Sequence, residues 1–237
     1  MKKMEGLHHG TLLVDHYVTG NIESFLKAYY HNADFQRDLQ EQTGNTDVVV
    51  GNWSNGNSIG SVCEIEYTMK AQIGVPKNRV YINMKYTTAL PGEIYQIDNI
   101  INSPELPMVG KCFRVHERTI ISQQKGHVRV TVSQEVDFFK KSLLKGVVKK
   151  SAKAEGLRFY SRIWTPFMQT SFPRYLNRIL EPIDFDFDSQ PQDENNNNNG
   201  TGSSRVSDLQ RLARSRAFSI FIADTLAKSH SPIVTTC

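Results

Sequence analysis

Apolar residues recur along this chain with two periods, and the order in which the periods alternate outlines a fold. Residues 11–18 read as a short strand. Asn21 then suits a helix N-cap, with Ser24 three positions on and Ile22, Phe25, Leu26 and Tyr29 at helical spacing. A second short helix over residues 34–42 ends at Gly44. Six strand candidates follow at residues 47–50, 59–70, 79–90, 94–101, 112–122 and 128–138. Turn chemistry separates several of them: Ser54-Asn55-Gly56-Asn57, Pro91-Gly92 and Gln124-Lys125-Gly126. In the last strand Val128, Val130, Val132 and Val136 share one face, while Arg129, Thr131, Ser133 and Glu135 share the other. That alternation predicts a sheet with one buried and one wet face. A proline-free helical pattern runs from residue 142 to 164, with Leu143, Leu144, Val147, Val148 and Ala154 on one side. Lys141, Lys145, Lys149 and Lys153 form a row on the opposite side. The order implies an α+β fold, a curved antiparallel sheet wrapped around a long C-terminal helix in the helix-grip manner. Such a sheet rarely fills its own concavity with side chains.

Composition changes at Pro173. Beyond it come Pro182 and Pro191, the alternation Asp184-Phe185-Asp186-Phe187-Asp188, five consecutive asparagines from Asn195, and Gly-Thr-Gly-Ser-Ser. Such a stretch buries too little apolar surface to offset the entropy of ordering it. The chain therefore divides into a domain over residues 1–172, a disordered linker over 173–204 and a tail over 205–237. Ser207 caps an amphipathic helix in the tail, with Leu209, Leu212, Ala213, Ile220 and Leu226 near helical spacing.

With 28 basic and 24 acidic residues, the net charge of +4 is too small to indicate a nucleic-acid partner. Three cysteines without C-x-x-C spacing suit neither a disulfide framework nor a zinc knuckle, and a reducing compartment follows. Neither a signal peptide nor a membrane span of roughly 20 apolar residues is legible, so the expected location is cytoplasmic, peripheral at membranes.

Inward-facing alternate positions nominate the wall of a ligand pocket: Tyr67, Met69, Met84, Tyr86, Tyr95, Ile97, Val130 and Val132 on the strands, with Val147 on the long helix. Methionine and tyrosine suit an apolar wall with a few polar tips. The triplet His116-Glu117-Arg118 looks catalytic, but on a strand His116 and Arg118 face one way and Glu117 the other. No Ser-His-Asp order, paired carboxylate, phosphate-cradling loop or metal motif appears, so no catalytic residue, metal or cofactor is assigned. Lys141, Lys145 and Lys149 are candidates for docking to anionic lipid headgroups, each contributing about 1 kcal/mol near such a surface.

Four stretches resemble the VASt family, the START-like lipid-binding domains of GRAM-domain proteins. These are Thr-Asp-Val-Val-Val-Gly-Asn-Trp ending at Trp53, Ile73-Gly74-Val75-Pro76-Lys77, the Pro104-to-Arg114 bend with its two prolines, and Leu143-Leu144-Lys145-Gly146 leading into Leu157-Arg158-Phe159-Tyr160. The resemblance implies a helix-grip fold, a sterol-sized cavity and non-vesicular lipid transfer between membranes without covalent chemistry. It also implies that Ile73, Gly74, Val75 and Pro76 form a lid over the cavity mouth. The Asp-Phe alternation at residues 184–188 resembles, in a reordered form, the acidic two-phenylalanine motifs that recruit receptor proteins at the endoplasmic reticulum. Two rival functions stay open. A helix-grip enzyme of cyclase or hydrolase type would need an inward titratable residue. An interaction module would have a cavity filled by its own side chains.

Overall fold

A computed structural model describes residues 10–71, 76–107 and 110–180. Strand β1 (Thr11–Thr19) leads into helices α1 (Ile22–Tyr29) and α2 (Ala33–Gln42). Six strands follow: β2 (Thr46–Val50), β3 (Val62–Met69), β4 (Asn78–Leu90), β5 (Ile94–Asn102), β6 (Phe113–Gln124) and β7 (His127–Phe138). Helix α3 (Lys145–Phe159) passes through a π-helical segment, Tyr160–Trp164, into α4 (Thr165–Thr170), and α5 (Phe172–Leu180) closes the described chain. The seven strands form one antiparallel sheet in the order β1-β7-β6-β5-β4-β3-β2. This is the expected α+β helix-grip fold.

Local chemistry explains the element boundaries. Asn21 and Asn32 hold extended backbone and cap α1 and α2, Asn21 accepting from the Ser24 amide at 2.8 Å and Asn32 from those of Asp34 and Phe35. Each satisfies amides that a helix start would otherwise orphan. Gly126 turns the β6–β7 hairpin at φ 74°, a conformation that side-chain-bearing residues avoid. The outer face of the sheet is less wet than the alternation predicts. Thr131 and Ser133 are buried there, opposite Asp15 and Arg118 in the register. The Arg129–Asp15 and Arg118–Asp98 ion pairs lie on that same face.

Pro173 carries a different meaning from the one expected. It lies in the first turn of α5, where a missing N–H removes no intrahelical bond. The helical course from α3 also runs past residue 164 to Thr170: the Thr165 amide reaches back five residues to the Tyr160 carbonyl across the π segment, and Pro166 follows directly on it. The domain likewise does not stop at residue 172. Phe172 and Tyr175 are buried, and the Tyr175 hydroxyl bonds Asp38 of α2. The linker boundary at Pro173 is thus corrected to beyond Leu180; the rest of the linker and the 205–237 tail lie outside the described residues.

An aromatic cluster ties these helices together at one end of the sheet. The Phe35 ring lies within 5.5 Å, centroid to centroid, of the rings of Tyr29, Phe167, Phe172 and Tyr175. Trp164 donates to the Tyr29 hydroxyl at 2.8 Å. Because Tyr175 belongs to this cluster, a chain ending at residue 172 should be less stable than one ending at 180 by about 3 kcal/mol or more. Urea unfolding measures the difference, and equal midpoints would return the boundary to Pro173.

Candidate functional site

The concave face of the sheet is divided in two along the strands. At one end α1 covers it. Tyr95 donates to Glu23 of α1 at 2.9 Å, and the Tyr86 ring lies 4.5 Å from that of Trp53, which itself donates to the Tyr30 carbonyl. Ile97 pairs with Tyr86 in the register and is fully buried. At the other end α3 crosses the sheet without filling the space beneath it, leaving a cavity of about 420 Å³. That volume falls within the ~300–1,000 Å³ of small-molecule sites.

Tyr67, Met69, Met84, Val130, Val132 and Val147 line the cavity as expected from their inward phase. Tyr86, Tyr95 and Ile97 do not. They share that phase, but α1 and Trp53 pack directly onto them, so they are core and not pocket. Ile73, Gly74 and Val75 lie outside the described residues; Pro76 is exposed beside them. Lys141, Lys145 and Lys149 are exposed, but α3 starts at Lys145 and not at residue 142, so Lys141 precedes the helix and Leu143, expected on its apolar side, stands fully exposed.

The antiparallel order brings the end of β3, the start of β4, the end of β5, the start of β6, the end of β7 and the start of α3 to one edge. There the chain after β5 turns Leu106 inward onto Met69, Phe113, Leu144 and Val148. Gly110 makes this close turn possible: a Cβ on it would stand 2.2 Å from the Ser103 carbonyl oxygen and 2.8 Å from that of Leu106. Beside this edge, Phe139 and Leu143 are exposed among lysines. From residue 139 to 154 the chain carries six lysines and no acidic residue.

The cavity wall also holds polar groups that were not nominated from the sequence. Glu117 projects into it, while His116 and Arg118 face outward to Asp98, Arg118 with two bonds of 2.9 and 3.1 Å and His116 at 3.7 Å. The strand alternation thus separates the triplet as expected. Tyr160 donates to Glu117 at 3.1 Å, and the Gln134 amide donates at 3.4 Å. Burial pushes the Glu117 carboxyl up to about 7, and these two hydrogen bonds only partly oppose the shift. Burial also raises the hydroxyls of Tyr29, Tyr30, Tyr67 and Tyr160, with the nearby Glu117 charge adding to it. A signal for Glu117 was present in the chain: it is an acid at the inward phase of β6, between Val115 and Thr119. Among the described residues no cluster of His, Cys, Asp or Glu is placed to hold a metal, and no helix is long and apolar enough to cross a membrane.

Comparison with known proteins follows this geometry. No curated sequence shows significant similarity to the chain. Among solved structures, Ara h 8.0201 aligns at 13% identity and TM-score 0.39, covering 70% of this chain and 96% of its own. TTHA0849 from Thermus thermophilus aligns at 12% identity and TM-score 0.40, covering 71% and 97%. A solution structure from Arthrobacter aurescens aligns at 10% identity and TM-score 0.38, covering 74% and 91%. The sequence model of the VASt domain, the VAD1 analog of StAR-related lipid transfer domain, matches residues 12–155, which take in all seven strands but for Thr11 and most of α3. The chain belongs to the VASt family of START-like lipid-binding domains.

Proposed function

We propose that the domain takes up a sterol-like lipid in its cavity and carries it between intracellular membranes without covalent chemistry. The observation that carries this reading is the unfilled, largely apolar space of about 420 Å³ between the sheet and α3. Apolar surface is worth about 25 cal/mol per Å² whether it leaves water for a bilayer or for a protein cavity. Moving a lipid from one to the other is therefore nearly balanced, which suits reversible carriage. The unfilled cavity disfavours an interaction module whose pocket is vestigial.

The lysine-rich edge beside the cavity supports transient docking at anionic membrane surfaces. Exposed Leu143 and Phe139 supply apolar contacts there, and Lys141, Lys145 and Lys149 supply charge. The lid assigned to Ile73, Gly74, Val75 and Pro76 belongs to the same proposal, since its loop joins β3 to β4 at that edge. Receptor recruitment by the acidic phenylalanine segment is a further element of it, carried by the sequence alone.

A second reading rests on Glu117, an inward carboxyl that could serve as general acid or base in a helix-grip enzyme. Lipid recovered chemically unaltered after prolonged incubation with the protein would support carriage, and conversion would support catalysis.

Two outcomes test the carrier reading. Ala152 lines the cavity from α3, so Ala152→Trp should cut loading of a fluorescent sterol by about tenfold or more while thermal unfolding stays cooperative. Undiminished loading would place the lipid elsewhere. Replacing Lys141, Lys145 and Lys149 with alanine should weaken binding to vesicles containing phosphatidylserine by up to about 3 kcal/mol in total, at low salt. Sedimentation with such vesicles measures this, and an unchanged bound fraction would remove these lysines from the docking surface.

A further inference from the structure

The strand register puts three polar residues in one row across the apolar concave face. Asn99 of β5 is the direct partner of Glu117 of β6, and Glu117 is the direct partner of Gln134 of β7. Met84 of β4 continues the row on the Asn99 side. The next inward pairs are apolar or nearly so: Ile101, Val115 and Val136 along one flank, Ile97, Thr119 and Val132 along the other. A hydrogen-bonding band thus crosses a wall otherwise suited to hydrocarbon.

This band is incompletely satisfied. The Asn99 Oδ1 is shut off from solvent and has no hydrogen-bond partner, and Asn99 is among the residues that line the cavity. A buried carbonyl oxygen left without a donor is costly and uncommon in folded proteins. Beside it, the Glu117 carboxyl is satisfied by neutral groups alone, the Tyr160 hydroxyl and the Gln134 amide. The row therefore holds one unpaired acceptor next to an acid whose burial favours its protonated, hydrogen-donating form.

We propose that Asn99 and Glu117 together seat a single hydroxyl group at the end of an otherwise apolar ligand. The ligand O–H donates to Asn99 Oδ1, and its oxygen accepts from the Glu117 acid. The pair selects neutral hydroxyl lipids over fatty-acid carboxylates, which have no proton for Asn99 and would bring an unpaired charge into an apolar cavity. This assignment rests on the cavity being a lipid site and adds the chemical class of its ligand.

Ionisation gives the pairing a pH signature. The groups around the row are Tyr67 from β3, Tyr29 and Tyr30 from α1 and its C-cap, Tyr160 from the π segment, and Glu155 with its partner Arg158 from α3. The four tyrosine hydroxyls are raised by burial and stay neutral through the working range. The Glu155 carboxyl is raised by burial too, but faces the Arg158 charge, which opposes the shift. An apolar ligand that displaces cavity water makes a charged Glu117 costlier still, so binding favours its protonated form. Affinity should therefore be highest at low pH and fall as pH rises through about 7, the value to which burial brings this carboxyl.

The test uses the full chain and displacement of the fluorescent sterol dehydroergosterol by three competitors: cholesterol, its 3-methyl ether and oleate. Hexadecanol against hexadecanoate forms a second pair. Cholesterol should compete about tenfold or more better than the ether, and hexadecanol better than hexadecanoate. Asn99→Leu should erase the alcohol–ether difference while leaving the melting temperature equal or higher, because it removes an unpaired carbonyl. Glu117→Gln should flatten the pH dependence between pH 6 and pH 8, a window of about one unit either side of neutrality. Equal binding of alcohol and ether by the unaltered protein would overturn the anchor while lipid binding stands. If dehydroergosterol does not bind, calorimetric titration with hexadecanol and hexadecanoate reads the second pair directly, and a preference for hexadecanol there would sink the sterol reading and uphold the anchor. Failure to retain any of these lipids would overturn both.

Discussion

The cavity depends on tight packing elsewhere. A helix that crosses a sheet without filling the space beneath it forgoes dispersion contacts along that length, and other contacts must hold it in place. Here they come from the aromatic cluster at the opposite end, where Phe35 and Tyr29 gather Trp164, Phe167, Phe172 and Tyr175. The cluster joins α1 and α2 to the chain that continues from α3. Gly156 brings α3 close to the sheet as well, since a Cβ there would stand 2.9 Å from a Leu13 methyl. Ahead of both anchor points along α3, Ser151 and Ala152 face the cavity with short side chains.

The same division separates two kinds of polar chemistry. At the packed end every buried hydroxyl or ring N–H described above has a partner: Tyr95 with Glu23, Trp53 with the Tyr30 carbonyl, Trp164 with Tyr29. In the cavity, Asn99 keeps an unpaired oxygen and Glu117 an unusually basic carboxyl. Unpaired polar atoms in an otherwise well-packed protein mark places where stability has been relinquished, and these border an open space. The loop edge has a third character, with lysines interleaved with exposed Phe139 and Leu143. Interior acidity and exterior basicity are separated by the wall of the domain, so neither neutralises the other.

Much of this was legible along the chain because it depends on neighbours in sequence. Alternation with period two identified every strand and the inward phase of Tyr67, Met84 and Val132. Asn21 announced a helix start that the backbone amides require, and Gln124-Lys125-Gly126 announced a turn only a positive φ completes. Proline was the exception. Pro173 lacks an N–H whether it breaks a helix or sits in its first turn, and the sequence around it does not say which role applies. Burial of Phe172 and Tyr175 on the aromatic cluster decides it.

By itself, then, the sequence determined the seven strands, the first three helices, their order and which strand side chains face inward, since these follow from backbone periodicity and local capping. It could not determine what an inward side chain meets. Tyr86, Tyr95 and Ile97 share the phase of Tyr67 and Met84, yet α1 and Trp53 cover the first three and leave the others bordering a void. Nor could it align Asn99, Glu117 and Gln134, which lie far apart along the chain and become neighbours only through the register of three strands. Phase is a property of one strand. Register and the placement of the covering helices are properties of the whole fold, and they alone decided where the cavity opens and which polar groups face it.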